Sequence, residues 1–115
     1  MTDWSYAGDD FYCDVAVPRV SELDVVLHND HVLAFHHTRP FWRTHIVVVP
    51  KRHLASLTTV DAGDEPDLRA LFAAVQQVAR DVEMTRGAAS VLTNLGGYQD
   101  SKHLHIHVYS GQKLR

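Results

Sequence analysis

The sequence predicts an α+β domain: a five-stranded antiparallel sheet with one main helix inserted after the third strand. Three observations carry this reading. Five short β-prone stretches are punctuated by Asn-Asp, Pro and Gly positions. One longer stretch, between Asp61 and Gly87, repeats apolar residues at three- and four-residue spacing. The chain has 115 residues and no internal repeat, linker or low-complexity tract, which suits a single domain.

Residues 1–9 read as a flexible N-terminus, so the domain proper is expected over 10–115. "LDVVLHND" and "HVLAFHH" form a hairpin, and Asn29-Asp30 suits the positive-φ positions of a tight turn. "THIVVVP" is the third strand. Its near-continuous apolar run implies burial on both faces, and Pro50 stops it. "PKRH", Pro50 to His53, reads as a solvated turn, with a basic phosphate contact as the alternative.

"AGDEPDLRALFAAVQQVARDVEMTRG" is the helix. Asp64 or Glu65 can cap it, Pro66 suits its first turn, and Gly87 ends it. Leu68, Leu71, Phe72, Val75, Val78 and Val82 form one apolar stripe, read as core. "ASVLTN" is the fourth strand, "LGGYQDS" a glycine-containing loop and "HLHIHVY" the fifth strand.

The totals exclude several classes. A net charge of −3 argues against a protein that coats nucleic acid. Cys13 is the only cysteine, so no internal disulfide can form. The acidic, polar "MTDWSYAGDD" has neither the basic nor the apolar part of a signal peptide. No apolar run approaches the roughly 20 residues of a membrane helix. A cytoplasmic protein with neither membrane nor nucleic-acid partners is expected.

The nine histidines are the anomaly. In a strand, alternate residues share a face. His103, His105 and His107 would point one way, and Leu104, Ile106 and Val108 would pack under the helix. Imidazole can serve as nucleophile, acid, base or metal ligand. A half-exposed strand that happens to carry histidines would not require strict alternation. His-x-His on a strand can also chelate zinc or iron. Asp100 is the only carboxylate nearby in sequence, however, and there is no HExxH helix. In "NLGGYQDS" the glycines let backbone N–H groups approach an anion, and Asn94, Gln99 and Ser101 add donors. Donors beside clustered imidazoles suit a phosphoryl group.

These residues resemble the histidine triad (HIT) family, in its Hint-like branch. "HLHIHVY" matches the His-x-His-x-His signature. "THIVVVPKRHLASL" is similar to the family's His, apolar run, Pro-Lys-x-His segment, and "NDHVLAFHHTRP" to the strand pair of its nucleoside pocket. The resemblance covers about residues 10 to 111. It implies a five-stranded antiparallel sheet with one long helix and a short helix, and a homodimer. It also implies cleavage at the α-phosphorus of a nucleoside phosphoramidate or related nucleotide conjugate, through a phosphohistidine-type intermediate.

By the resemblance, His105 is the nucleophile, flanked by His103 and His107. His45 is the upstream histidine expected beside the first triad residue. Asn94, Gln99 and Ser101 fall at the phosphate end and Phe35 in the apolar pocket. His37 stands where an acidic residue usually holds the ribose hydroxyls; a neutral imidazole accepts one such bond where a carboxylate accepts two. Asp100 replaces the usual serine. Zinc-binding members carry Cys-x-x-Cys near the start, and here the pair is Asp10 and Cys13. Carboxylate, thiolate and imidazole are all competent zinc ligands, so Asp10, Cys13, His45 and His103 form a possible zinc set. The phosphohistidine scheme itself requires no cofactor. Two alternatives stand beside it: a nucleotide-binding regulatory module with little turnover, and a metal-dependent enzyme with the triad as ligands.

Overall fold

The computed structural model describes residues 4–115. Strands β1 (Val25–His28), β2 (Val32–His36) and β3 (Trp42–Pro50) come first, then helix α1 (Glu65–Arg86), then β4 (Ser90–Leu92) and β5 (Ile106–Lys113). They form one antiparallel sheet in the order β1-β2-β3-β5-β4. The short helical element is a π-helical turn at Tyr12–Ala16, accompanied by isolated 3-10 turns. Among the described residues, no helix is long and apolar enough to cross a membrane.

The sheet has two cores, one on each face. Leu71, Ala74, Val78 and Val82 of α1 pack on Val32, Ala34, Ile46, Val48, Leu104 and Val108. On the opposite face Tyr12 and Ala16 cover Leu33, Phe35, Val47 and Val49. Strands β2 and β3 are therefore buried on both sides, which explains their continuous apolar runs. The triad lies on the face covered by the N-terminal segment. The intervening Leu104, Ile106 and Val108 go under α1.

Four expectations need correction. No described residue other than glycine has positive φ, so Asn29-Asp30 is not the mirror-image turn. Instead the Asn29 side-chain oxygen accepts from the N–H groups of His31 and Val32, both at 2.9 Å, and the side chain stands in for backbone. Phe72 is 71% exposed, and Ala74 takes its place in the core. Position 74 lies one turn from both Leu71 and Val78, whereas position 72 is rotated about 100° from Leu71.

The helix is initiated one turn early. The Asp61 carboxylate accepts from the Gly63 N–H at 2.9 Å, and the Asp64 carboxylate accepts from the Asp61 N–H at 3.0 Å. Asp64 occupies the cap position of α1 without a side-chain bond to the helix, and Pro66 lies in the first turn. Gly87, at φ 87°, closes the helix with its N–H on the Glu83 carbonyl. Arg52 is held by Asp64 and Asp67 at the start of α1, which ties the exit of β3 to the helix.

The fifth strand begins at Ile106, not at His103. Its last ladder pair with β3 is Val48↔Ile106. Beyond it the Leu104 N–H donates to the Leu54 carbonyl at 2.6 Å, and the His105 carbonyl accepts from Thr93 Oγ1 at 2.7 Å. Pro50 has no N–H to offer, so the β3–β5 ladder stops short of it and the lead-in, which bends at 101–103, is held by other partners. The first three of the nine N-terminal residues lie outside the described residues. From there Trp4 and Tyr6 set their rings edge-on to Phe11, and the Lys102 N–H donates to the Asp9 carbonyl at 2.6 Å.

Candidate active site

The three alternating histidines occupy three different environments. His107 sits opposite Val47 in the β3–β5 ladder, which makes His45 its diagonal neighbour on the same face. Their ring nitrogens, His45 Nε2 and His107 Nδ1, are 2.8 Å apart. The Phe41 N–H donates to His45 Nδ1 at 3.0 Å. That nitrogen must present a lone pair, so the proton of neutral His45 is on Nε2 and is donated to His107. His107 in turn carries its proton on Nε2. A backbone amide thus sets the tautomer of two successive imidazoles.

These rings are neutral. Burial, then the neighbouring imidazoles, push His37 and His107 down to about 3. Burial, then the Arg115 charge, push His45 down to about 4. His45 therefore belongs with the third triad residue and with His37, whose ring stacks on it at 4.4 Å and 19°. It does not sit beside His103, because position 45 is in register with Tyr109 at the far end of the ladder.

His105 is 4% exposed. Its Nδ1 lies 2.6 Å from the His103 carbonyl, which can only accept. The proton is on Nδ1, so Nε2 is an unprotonated lone pair. Tyr12 lies against the ring at a centroid distance of 4.9 Å. Burial lowers the imidazole's affinity for a second proton. A neutral imidazole with a free Nε2, backed by a rigid sheet, is a competent nucleophile.

His103 is fully buried and directed away from the cleft. Its Nε2 donates to the Pro50 carbonyl at 2.7 Å. Its Nδ1 faces Asp10 Oδ2 at 3.0 Å and Cys13 Sγ at 3.3 Å. His53 completes the group, with Nδ1 2.5 Å from Asp10 Oδ2 and 3.9 Å from Cys13 Sγ. The four ligand atoms all lie within 4.8 Å of one another. Burial would raise the Asp10 carboxyl, but the Cys13 N–H and the His103 ring hold it at about 2. Burial and Asp10 push the Cys13 thiol up to about 12. An ionised carboxylate, a thiol and two ring nitrogens converging on one point fit a tetrahedral cation such as zinc. His53, not His45, is the fourth member of this set.

A cleft of about 540 Å³ opens over the histidine face. Phe35, His37, His45, Asn94, Ser101, His105 and His107 all line it, together with Tyr12, Trp42 and Asp100. The Ser101 hydroxyl accepts from the Phe11 N–H at 2.9 Å and keeps its own proton to donate. Gln99 does not reach the cleft. Its amide donates to the Ala55 carbonyl at 2.7 Å and ties the triad loop to the segment after β3. The glycines of that loop also stay outside the lining.

His37 differs from expectation in polarity. The Arg39 N–H donates to its Nδ1 at 3.0 Å. Its neutral ring therefore offers a ligand the Nε2–H donor, not an acceptor. Sequence reasoning missed Tyr12 and named His53 only as the end of the "PKRH" turn, not as a partner of Asp10, Cys13 and His103. The aromatic pair Phe11-Tyr12 and the histidine of "PKRH" were the available signals, and only the fold brings them to the triad.

A family model described as HIT domain matches residues 19–114. An uncharacterized 13.2 kDa HIT-like protein of Azospirillum brasilense is 38% identical over 92 residues, covering 77% of this chain and 75% of its own. A HIT-like protein of Synechococcus elongatus is 35% identical over 99 residues, covering 85% and 87%. Among solved structures, a histidine triad protein from Clostridium difficile superposes with a TM-score of 0.75 at 28% identity, covering 96% of this chain and 97% of that one.

Proposed function

This chain belongs to the HIT domain family, and on that premise we propose that it is a nucleotide hydrolase acting at the α-phosphorus of a nucleoside phosphoramidate or related nucleotide conjugate. The observation that carries the reading is the His105 ring, with Nδ1–H on the His103 carbonyl and Nε2 free. In the scheme, Nε2 attacks phosphorus, the N–P bond forms, and the bond to the leaving group breaks. The leaving amine takes up a proton from solvent in the open cleft as it departs, and the water that later attacks phosphorus returns one to solvent. Positive charge develops on the imidazole ring, and the His103 carbonyl is already placed to stabilise it. Water then attacks phosphorus, releases the nucleoside monophosphate and regenerates neutral His105.

The other groups have supporting roles. The His107 Nε2–H is set by the His45 and Phe41 relay to donate toward a phosphate oxygen. The Ser101 hydroxyl and Asn94 line the same cleft as further donors. Thr93 and Tyr12 hold the His105 backbone and ring. Phe35 and Tyr12 supply apolar surface for the base. Gln99 acts on the loop rather than on the phosphate.

Asp10, Cys13, His53 and His103 would hold zinc. Bound there, the ion supplies structural crosslinking, since the four ligands come from the N-terminal turn, the β3 exit and the triad lead-in. His103 carries the carbonyl that orients His105, so this cluster positions the nucleophile without touching substrate. The relay argues against ligation by the other imidazole group, His37, His45 and His107. His45 Nδ1 already accepts a backbone N–H, so its Nε2 is protonated.

A homodimer is part of the proposal. The edge strand β4, with Val91 49% exposed, and Phe72 on α1 give a second copy apolar surface to cover. The decisive experiment is turnover of an adenosine phosphoramidate by the purified chain, with release of the nucleoside monophosphate. Tight nucleotide binding without turnover would replace the hydrolase reading with that of a regulatory binding module.

A further inference from the structure

The charged side chains of the cleft are unevenly distributed. Arg39, Lys113 and Arg115 line it, and Asp100 is its only lining acidic side chain among the described residues. The cationic character runs against the net charge of −3 of the whole chain. Asp100 is at the other end, where its charge acts on Tyr12 and His105.

Arg115 is fixed there by several contacts. Its Nη2 donates to the Arg39 carbonyl at 2.7 Å and its Nε to the Pro40 carbonyl at 3.3 Å. Its Cζ lies 4.2 Å over the Phe41 ring, and that ring is 6.3 Å from His37. A guanidinium has five N–H donors, and the two carbonyls leave the rest for a ligand. The Arg115 charge also acts on the rings of both His37 and His45. His37 adds its Nε2–H, which has no partner among the described residues.

This end is distinct from the reacting end. Centroid steps of 5.0, 5.9 and 6.3 Å lead from His105 through His107 and His37 to Phe41, with Arg115 beyond. A sugar hydroxyl pair is best held by a side-chain carboxylate, and among the described residues no aspartate or glutamate lines this end. It offers donors and positive charge, the recognition chemistry of a phosphate.

We propose that the substrate carries a second phosphate, separate from the one presented to His105, and that His37, Lys113 and Arg115 bind it. The proposal rests on the nucleotide reading above and narrows its substrate class to doubly phosphorylated nucleotides.

The test is calorimetric titration of the full chain at physiological salt with AMP, adenosine 2′,5′-bisphosphate, adenosine 3′,5′-bisphosphate and ADP. At least one bisphosphate should bind about tenfold tighter than AMP, equivalent to about 1.4 kcal/mol. The double variant Lys113→Gln/Arg115→Gln should bring that ratio close to one, and His37→Asp should lower it by placing a carboxylate against the phosphate. Bisphosphates no tighter than AMP, or a gain that survives the double variant, would overturn the proposal while leaving the nucleotide reading intact. A gain shown by ADP alone would also overturn it, since the second phosphate would then adjoin the first. If no probe binds, the nucleotide reading itself falls, and this proposal with it.

Discussion

The His103 carbonyl oxygen and His105 Nδ1 stand 2.6 Å apart, so the backbone of one triad residue fixes the protonation of the next. Only the Nδ1–H tautomer satisfies that contact, and it leaves Nε2 unprotonated, the atom proposed above to attack phosphorus. His105→Asn keeps a polar side chain of similar width without a nucleophilic ring nitrogen. Single-turnover hydrolysis of an adenosine phosphoramidate should slow by orders of magnitude while nucleotide affinity changes little. Each tenfold loss corresponds to about 1.4 kcal/mol of transition-state stabilisation. Near-normal turnover in this variant would rule out His105 as nucleophile.

Metal analysis of the purified chain should find one zinc per chain. His53→Ala and Asp10→Ala should abolish retention, while His45→Ala should not. At a free zinc concentration a hundredfold above Kd, binding adds about 2.7 kcal/mol, a rise in Tm on the order of 10 °C. Cobalt substitution adds a spectroscopic check: a thiolate charge-transfer band that disappears in Cys13→Ser. Zinc retained by Asp10→Ala/His53→Ala would show that the ligands lie elsewhere.

Acid should unfold this protein earlier than a protein with exposed histidines. In the folded state His37 and His107 titrate near 3 and His45 near 4, against 6.5 in the unfolded chain. Between these values the unfolded state binds protons that the folded state refuses. Stability is therefore fully present above pH 6.5 and declines as pH falls toward 4. Each imidazole contributes a slope of at most ~1.4 kcal/mol per pH unit. Urea denaturation across this range should show the decline, and His107→Gln should make it shallower. A flat profile would mean that these rings are not neutral in the fold.

Two apolar positions should separate sharply in stability. Leu104 is 1% exposed and packs under α1, so Leu104→Ala should cost roughly 2–5 kcal/mol. Phe72 is 71% exposed, so Phe72→Ala should stay within about 0.5 kcal/mol for the isolated chain. Chemical denaturation of the two variants measures both.

Light scattering at micromolar concentration should give twice the chain mass. If Phe72 lies in the interface, Phe72→Glu should shift the protein toward monomer while leaving the fold intact. A monomer mass for the unaltered chain would remove the dimer from the proposal.

The sequence by itself determined the elements and the faces they share. Period-two alternation assigned Leu104, Ile106 and Val108 to one side and the histidines to the other, and the faces hold although β5 itself starts only at Ile106. The apolar run of β3 was enough to predict burial on both faces. The α1 stripe was legible except at Phe72, where periodicity alone cannot tell a core position from its neighbour on the helical wheel. The candidate site was legible at His107, on the regular strand, and at His105, one residue before it.

What only the tertiary structure decided is which side chains meet across large sequence separations. Strand register pairs His45 with His107 rather than His103. The bend at Lys51 and Arg52 carries His53 to Asp10, Cys13 and His103, although 43 residues separate His53 from Asp10. Side-chain polarity was hidden in the same way. His37 became a donor only because the Arg39 N–H took its other nitrogen, and Gln99 is turned out of the cleft, its amide bound to the Ala55 carbonyl. Local patterning fixes periodicity and burial. Hydrogen-bond partners and tautomers depend on long-range packing, which a linear pattern does not encode.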